Sequence, residues 1–249
     1  MVPIIKEKHP DVMFFVSKWN CGWGSGLWRL FCQACTFIIE SGIEFEYLMN
    51  MDYDLIFTKK GADVTYIKDF TSPAIGQVGK YNPKSAHWAR KVKNYLPRMH
   101  SIFAKLGKSI PKDYIPGQHN AGAFTLMKEN CILQLYRDGY FKSPFVDIGD
   151  QIKLADDPML SLFVMMAGYK LAAMSNTHYI VWQMAEDYRK IPERDLYVYH
   201  PTKLVPGNGR WSLDDELQCR NFFRAIRNQE PIPIIPSLQG VGRATDILV

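Results

Sequence analysis

Apolar positions along the chain alternate between short continuous runs and helical stripes. Residues 12–16 (Val-Met-Phe-Phe-Val) predict a short buried strand. Apolar side chains then recur at 27, 30, 31, 34, 35, 38 and 39, the 3.6-residue period of an amphipathic helix. Ser25 suits its N-cap and Gly42 ends it. Residues 44–57 read as a second strand, too apolar for a sheet edge. Strand, Gly-rich loop (19–26), helix and strand make a βαβ unit, whose two strands are expected to run parallel.

Further along, residues 64–70 suggest another short strand and residues 85–106 a basic helix. Arg90, Lys91, Lys93 and Arg98 form its solvated face. A small-residue loop at 116–124 leads into a strand at 123–127, and a helix at 130–138 stops at Gly139. Pro158 suits the first turn of a helix over 159–167, apolar nearly all round, with Asp157 as its N-cap. Strands are expected at 179–182 and 196–199. A Gly- and Pro-punctuated tail follows, carrying one amphipathic helix at 213–228. The division this gives is an α/β domain over residues 1–206 and a helical appendage over 207–249.

A length of 249 residues suits that organisation. Thirty basic against 25 acidic side chains, a formal charge of +5, favour an anionic small molecule or surface. With no dense Lys/Arg run, nucleic acid is not an expected partner. Five cysteines are odd in number and sparse, and the Cys32/Cys35 pair falls inside the apolar helical stripe with no second pair. Buried thiols are expected there rather than zinc or redox chemistry. A reducing, cytoplasmic setting fits. The sequence shows no secretory leader and no apolar stretch that could span a bilayer, so any membrane contact is expected to be peripheral.

Asp52 and Asp54 lie one residue apart near the end of the 44–57 strand. Strand alternation points i and i+2 the same way, so the pair can converge on Mg²⁺ or Mn²⁺ holding a phosphorylated substrate. The alternative is a turn capped by Asp54. The loop over 19–26 can cradle phosphate through backbone N–H groups, but it matches neither GxGxxG nor the P-loop. His119 reads either as a turn histidine with a local hydrogen bond or as a site group. Asp157, with Asp156 beside it, reads as a cap or as a base kept charged at a helix N-terminus. His200, at a strand end before Pro201, suits a third metal ligand, and Lys203 would then lie near a diphosphate.

Taken in order, these features resemble a GT-A glycosyltransferase, over roughly residues 12–203. Asp52-Tyr53-Asp54 looks like the DxD motif that binds a divalent metal and the donor diphosphate. Asn120-Ala121-Gly122-Ala123 resembles the loop beside the transferred sugar. Asp156-Asp157 sits where the family's xED motif supplies the acceptor base, and His200 resembles the late histidine that completes metal binding. The Trp23-Gly24-Ser25 helix start, with residues 48–52 downstream, is also similar to the core-2-branching-like enzymes, which need no metal. One departure stands out: family members usually carry an earlier strand that holds the nucleotide base, and here Asp52 arrives too soon for it. Either Met1 is an internal start and the first βα unit is missing, or this is a compact variant.

The resemblance implies a Rossmann-like, mixed but mostly parallel sheet flanked by helices. It implies transfer of a sugar from a nucleotide-sugar to the hydroxyl of a glycan, a lipid-linked sugar or another acceptor, with Mn²⁺ or Mg²⁺ as cofactor; direct base-assisted attack would invert the anomeric carbon, with retention the alternative. Asp52, Asp54 and His200 would hold the metal, and Asp157 with Asp156 would act as base. Trp23, Gly24, Ser25, Asn120, Ala121, Gly122 and Lys203 would bind the donor. The alternative is a catalytically inactive protein of this fold that binds nucleotide-sugar or carbohydrate. A two-metal phosphoesterase is disfavoured, because six scattered histidines offer little of the clustered His and Asp it needs.

Overall fold

The computed structural model describes residues 6–7, 9–17, 25–52, 54–152, 154–175, 177–179, 187–200 and 213–233. In chain order the elements are α1 (Ser25–Glu40), β1 (Tyr47–Met51), β2 (Ile56–Phe57), α2 (Ala62–Ile67), β3 (Ile75–Asn82) and α3 (Ala86–Lys105). They continue with β4 (His119–Lys128), α4 (Glu129–Arg137), α5 (Ile148–Ile152), α6 (Asp156–Met166), β5 (Lys170–Ala173), β6 (Thr177–Tyr179), β7 (Val198–His200) and α7 (Leu213–Ile226).

The fold is α/β with a mixed four-stranded sheet in the order β1-β4-β3-β5. β4 runs antiparallel to both neighbours, and only β3 and β5 pair in parallel. A smaller sheet, β2-β7-β6, joins β2 to β7 antiparallel and β6 to β7 parallel. The mostly parallel sheet expected from sequence is therefore corrected. Its premise was a strand at 12–16, but those residues form none; Val12, Met13 and Val16 are 45%, 60% and 78% exposed. With no described strand entering α1 there is no βαβ crossover at this point, and β1 pairs antiparallel to β4 instead. Residues 64–70 are also corrected, from strand to the end of a helix and the turn after it. Ala62 and Tyr66 are buried four residues apart while Val64 and Ile67 are exposed, which is helical spacing, not alternation.

Where caps and period agree, the helices form as the sequence suggests. α1 ends in a Schellman motif: Gly42 takes φ 66°, its N–H donates to the Ile39 carbonyl, and the Ile43 N–H donates to that of Ile38. The Ser85 side chain caps α3 by accepting from the Trp88 N–H. α3 buries Val92, Met99 and Phe103, leaving Arg90, Lys91, Lys93 and Arg98 exposed.

Two cores cover the two faces of the main sheet, and β4 feeds both by alternation. Met127 joins Trp28, Phe103, Phe145 and Phe163 under the helices, while Phe124 and Leu126 join Tyr66, Val78 and Val198 on the other side. Trp28 anchors α1. It is fully buried, its indole N–H donates to the Phe145 carbonyl at 3.2 Å, and its ring lies 5.0 Å from that of Phe163. A buried aromatic of this kind is worth roughly 3–5 kcal/mol. α7 packs Cys219 and Phe223 onto Ile56 and Tyr199 of the small sheet. Cys32, Cys35, Cys131 and Cys219 are free, buried thiols, and burial pushes Cys131 and Cys219 up to about 12. Among the described residues no helix is long and apolar enough to cross a membrane.

Candidate functional site

β1 leaves the sheet beside the N-terminal half of β4. Met51 stands opposite Phe124, and the Asp52 N–H donates to the Ala123 carbonyl at 2.8 Å. The chain then turns, buries Asp54, and pairs Ile56 of β2 with Tyr199 of β7. That pairing brings the next residue, His200, back onto the turn. His200 Nε2 lies 3.4 Å from Asp54 Oδ1 and 3.9 Å from Asp52 Oδ2. One ligand atom from each of the three residues falls within 4.8 Å of the others, so the group could hold a metal ion.

The expected convergence is present, but a different device produces it. The strand stops at Met51, so the turn and not strand alternation aims the two carboxylates. It leaves them unequal, with the Asp52 side chain 48% exposed and that of Asp54 2%. Two hard carboxylate oxygens and one imidazole nitrogen fit Mn²⁺, and with less preference Mg²⁺, whose ligands are nearly all oxygens.

A second acidic group flanks the first. Asp156 and Asp157 occupy the first and second positions of α6, with Ala155 as N-cap, so the expected Asp157 cap is displaced. Pro158 then falls at the third position, where its missing N–H is still one the helix leaves unpaired. Gly122 of β4 makes the close packing possible. A Cβ there would lie 3.0 Å from Asp156 Oδ2 and 3.1 Å from Asp157 Cβ. The Gly122 N–H instead hydrogen-bonds to the Asp157 carboxylate.

Burial pushes Asp157 up to about 7, against backbone hydrogen bonds that favour its anion and with a smaller push from Asp52. Asp156 is also pushed up to about 7, by burial first and then by the neighbouring charges of Asp157 and Asp52.

Facing this pair is His119, the first residue of β4 and 3% exposed. Its Nδ1–H donates to the Gly117 carbonyl at 2.9 Å, which fixes the tautomer. Nε2 therefore faces outward as an acceptor, 3.4 Å from the Asn82 amide and 3.7 Å from Asp157 Oδ2. Burial lowers the affinity of the ring for a second proton, opposed by the Gly117 contact. A carboxyl inclined to keep its proton thus faces an imidazole inclined to stay neutral. His119 makes the local hydrogen bond that sequence suggested and also a cross-strand one. The sequence left open whether it belongs to the site. The cue was the register that sets it opposite Asn82, and pairing register is not visible in one chain segment.

Asn120, Ala121 and Gly122 belong to β4 and not to a loop, which corrects the sequence reading. Asn120 is fully buried; its N–H donates to Ser161 Oγ at 3.0 Å and its amide nitrogen to the Gln77 carbonyl at 3.4 Å. The Ser161 hydroxyl donates to Gln77 Oε1 at 3.3 Å. Asn120 Oδ1 and Thr125 Oγ1 have no hydrogen-bond partner among the described residues. Both residues line a cleft of about 570 Å³ bounded by α1, β1, β4 and α6.

Asp52, Asp156 and Asp157 also line that cleft, as do Asn50, Gln77 and Gly122. Ala121 does not line it. Ser25 opens α1, and Trp23, Gly24 and Lys203 lie outside the described residues. The structure thus gathers two groups with Asp52 between them: Asp54 and His200 on one side, Asp156 and Asp157 on the other. No protein-family model matches this chain, and no curated protein matches it.

Proposed function

We propose that this chain is a metal-assisted glycosyltransferase with a GT-A-like arrangement, moving a sugar from a nucleotide-sugar to an acceptor hydroxyl with inversion. One observation carries the reading: a carboxylate–carboxylate–imidazole cluster shares Asp52 with a cleft that holds a second, separately tuned carboxyl pair. The first group is suited to a leaving diphosphate and the second to an acceptor proton.

Asp52, Asp54 and His200 would hold Mn²⁺ or Mg²⁺, which when bound neutralises charge on the departing nucleoside diphosphate. Asp157 takes the proton from the acceptor hydroxyl as its oxygen bonds to the anomeric carbon and the bond to diphosphate breaks. A base with a pKa near 7 is matched to this task at neutral pH. His119 Nε2 stands 3.7 Å from that carboxyl and could share a proton with it. Burial first, and then the charge of Asp157, keeps the proton affinity of Asp156 high as well. A two-metal phosphoesterase finds no support, since the Asp52–Asp54–His200 group is the one such cluster among the described residues.

The test is release of nucleoside diphosphate from a panel of nucleotide-sugars with Mn²⁺. Metal-dependent release is expected, and Asp52→Ala and Asp157→Ala should abolish it without changing the circular dichroism spectrum. Binding of nucleotide-sugar with no release would make the protein a binder, and full activity in Asp157→Asn would overturn the base assignment.

A further inference from the structure

The acidic groups occupy only part of the cleft. α1 contributes Leu27, Phe31, Ala34 and Ile38, spaced as one face of a helix, and Leu48 and Leu160 stand across from them. Leu48 lies four residues before Asp52 on β1, about 13 Å away along an extended strand. The cleft therefore runs from carboxylates at one end of β1 to hydrocarbon at the other. At the rim, Leu30 and Met51 are 37% and 54% exposed. The polar end is built: Asn120 Oδ1 and Thr125 Oγ1 are buried there without partners among the described residues.

A saccharide lying along the α1 wall would lose water from its hydroxyls, and the one side-chain nitrogen that wall carries, the Trp28 indole N–H, is already held by the Phe145 carbonyl. An aliphatic chain loses nothing of that kind and gains from leaving water. Resting on the transfer reading above, we infer that the acceptor is amphipathic. Its hydroxyl-bearing end meets Asp157, Asn120 and Thr125, and an acyl or isoprenoid chain lies between α1, Leu48 and Leu160. Sugar acceptors without such a chain would use only the polar end.

The probe is a series of straight-chain primary alcohols of increasing length, titrated calorimetrically into the full chain below their aggregation concentrations. Affinity is expected to rise roughly threefold per methylene until the cleft is filled. Ala34→Trp, which places an indole in the half-buried Ala34 position, should weaken the longer alcohols at least tenfold while Mn²⁺ binding stays unchanged. Should that variant misfold, the chain-length series on the native protein decides alone. Affinity independent of length, or no binding because another part of the chain fills the cleft, overturns the inference. Turnover onto short sugar acceptors without chain-length dependence would overturn it too, and leave the transfer reading standing. Length-dependent binding without nucleotide-sugar turnover would sink the transfer reading, and with it the role of acceptor.

Discussion

The two acidic groups of the site use the same side chain to opposite ends. At the turn after β1, Asp52 and Asp54 face an imidazole, and the pair is split between surface and interior. At the start of α6, Asp156 and Asp157 face each other and the charge of Asp52 from partly buried positions. The first arrangement gathers negative charge around a point a cation can occupy. The second resists ionisation and so stores a proton affinity near neutrality. Environment, not residue type, separates a binding role from a proton-transfer role.

The comparison breaks most decisively at Asp54. Asp54→Ala removes the buried carboxylate and should weaken Mn²⁺ binding about a hundredfold, whereas Asp52→Ala, removing the half-exposed one, should cost about tenfold. Equal losses, read by calorimetry, would mean that burial does not distinguish the two carboxylates.

Next in size is the acid pair. The carboxyls titrate near 7 in the folded chain, above an ordinary value near 4. The folded state thus binds protons that the unfolded chain has released, so their contribution to stability is full below about pH 4 and is lost as pH rises through 7. In EDTA at pH 8, Asp156→Asn should stabilise the fold by on the order of 2 kcal/mol in urea denaturation. The gain should vanish near pH 4; a gain equal at both pH values would contradict the assignment.

The smallest expected effect is at the junction. Gly122→Ala forces the α6 terminus away from β4 and should destabilise by about 1–2 kcal/mol, with a lower proton affinity for the acid pair as it opens to water. A neutral substitution would mean that the helix end moves freely.

The residues of the candidate site were more legible in the sequence than its framework. Asp52, Asp54, His200, Asp156 and Asp157 stand out as acids and a histidine gathered at element ends, although capping explains such acids equally well. α1 and α3 were legible because period and caps agree, and α7 from its amphipathic period alone. Strand pairing was not: the apolar run at 12–16 looks like a strand, but nothing local says whether a partner exists. α2 was misread because Val64, Tyr66 and Ile67 favour strands by type, and only the buried Ala62–Tyr66 spacing shows a helix. The small residues at 120–122 suggested a loop, yet Gly122 is small because a helix end packs against the strand there. The apolar wall of the cleft read simply as core, since one face of α1 serves both.

Whether Asp52, Asp54 and His200 meet at one cation can be read from Mn²⁺ electron paramagnetic resonance. One tightly bound Mn²⁺ per chain with a directly coordinated histidine nitrogen is expected, both lost in His200→Ala. Several weak sites, or a signal unchanged by that substitution, would contradict it.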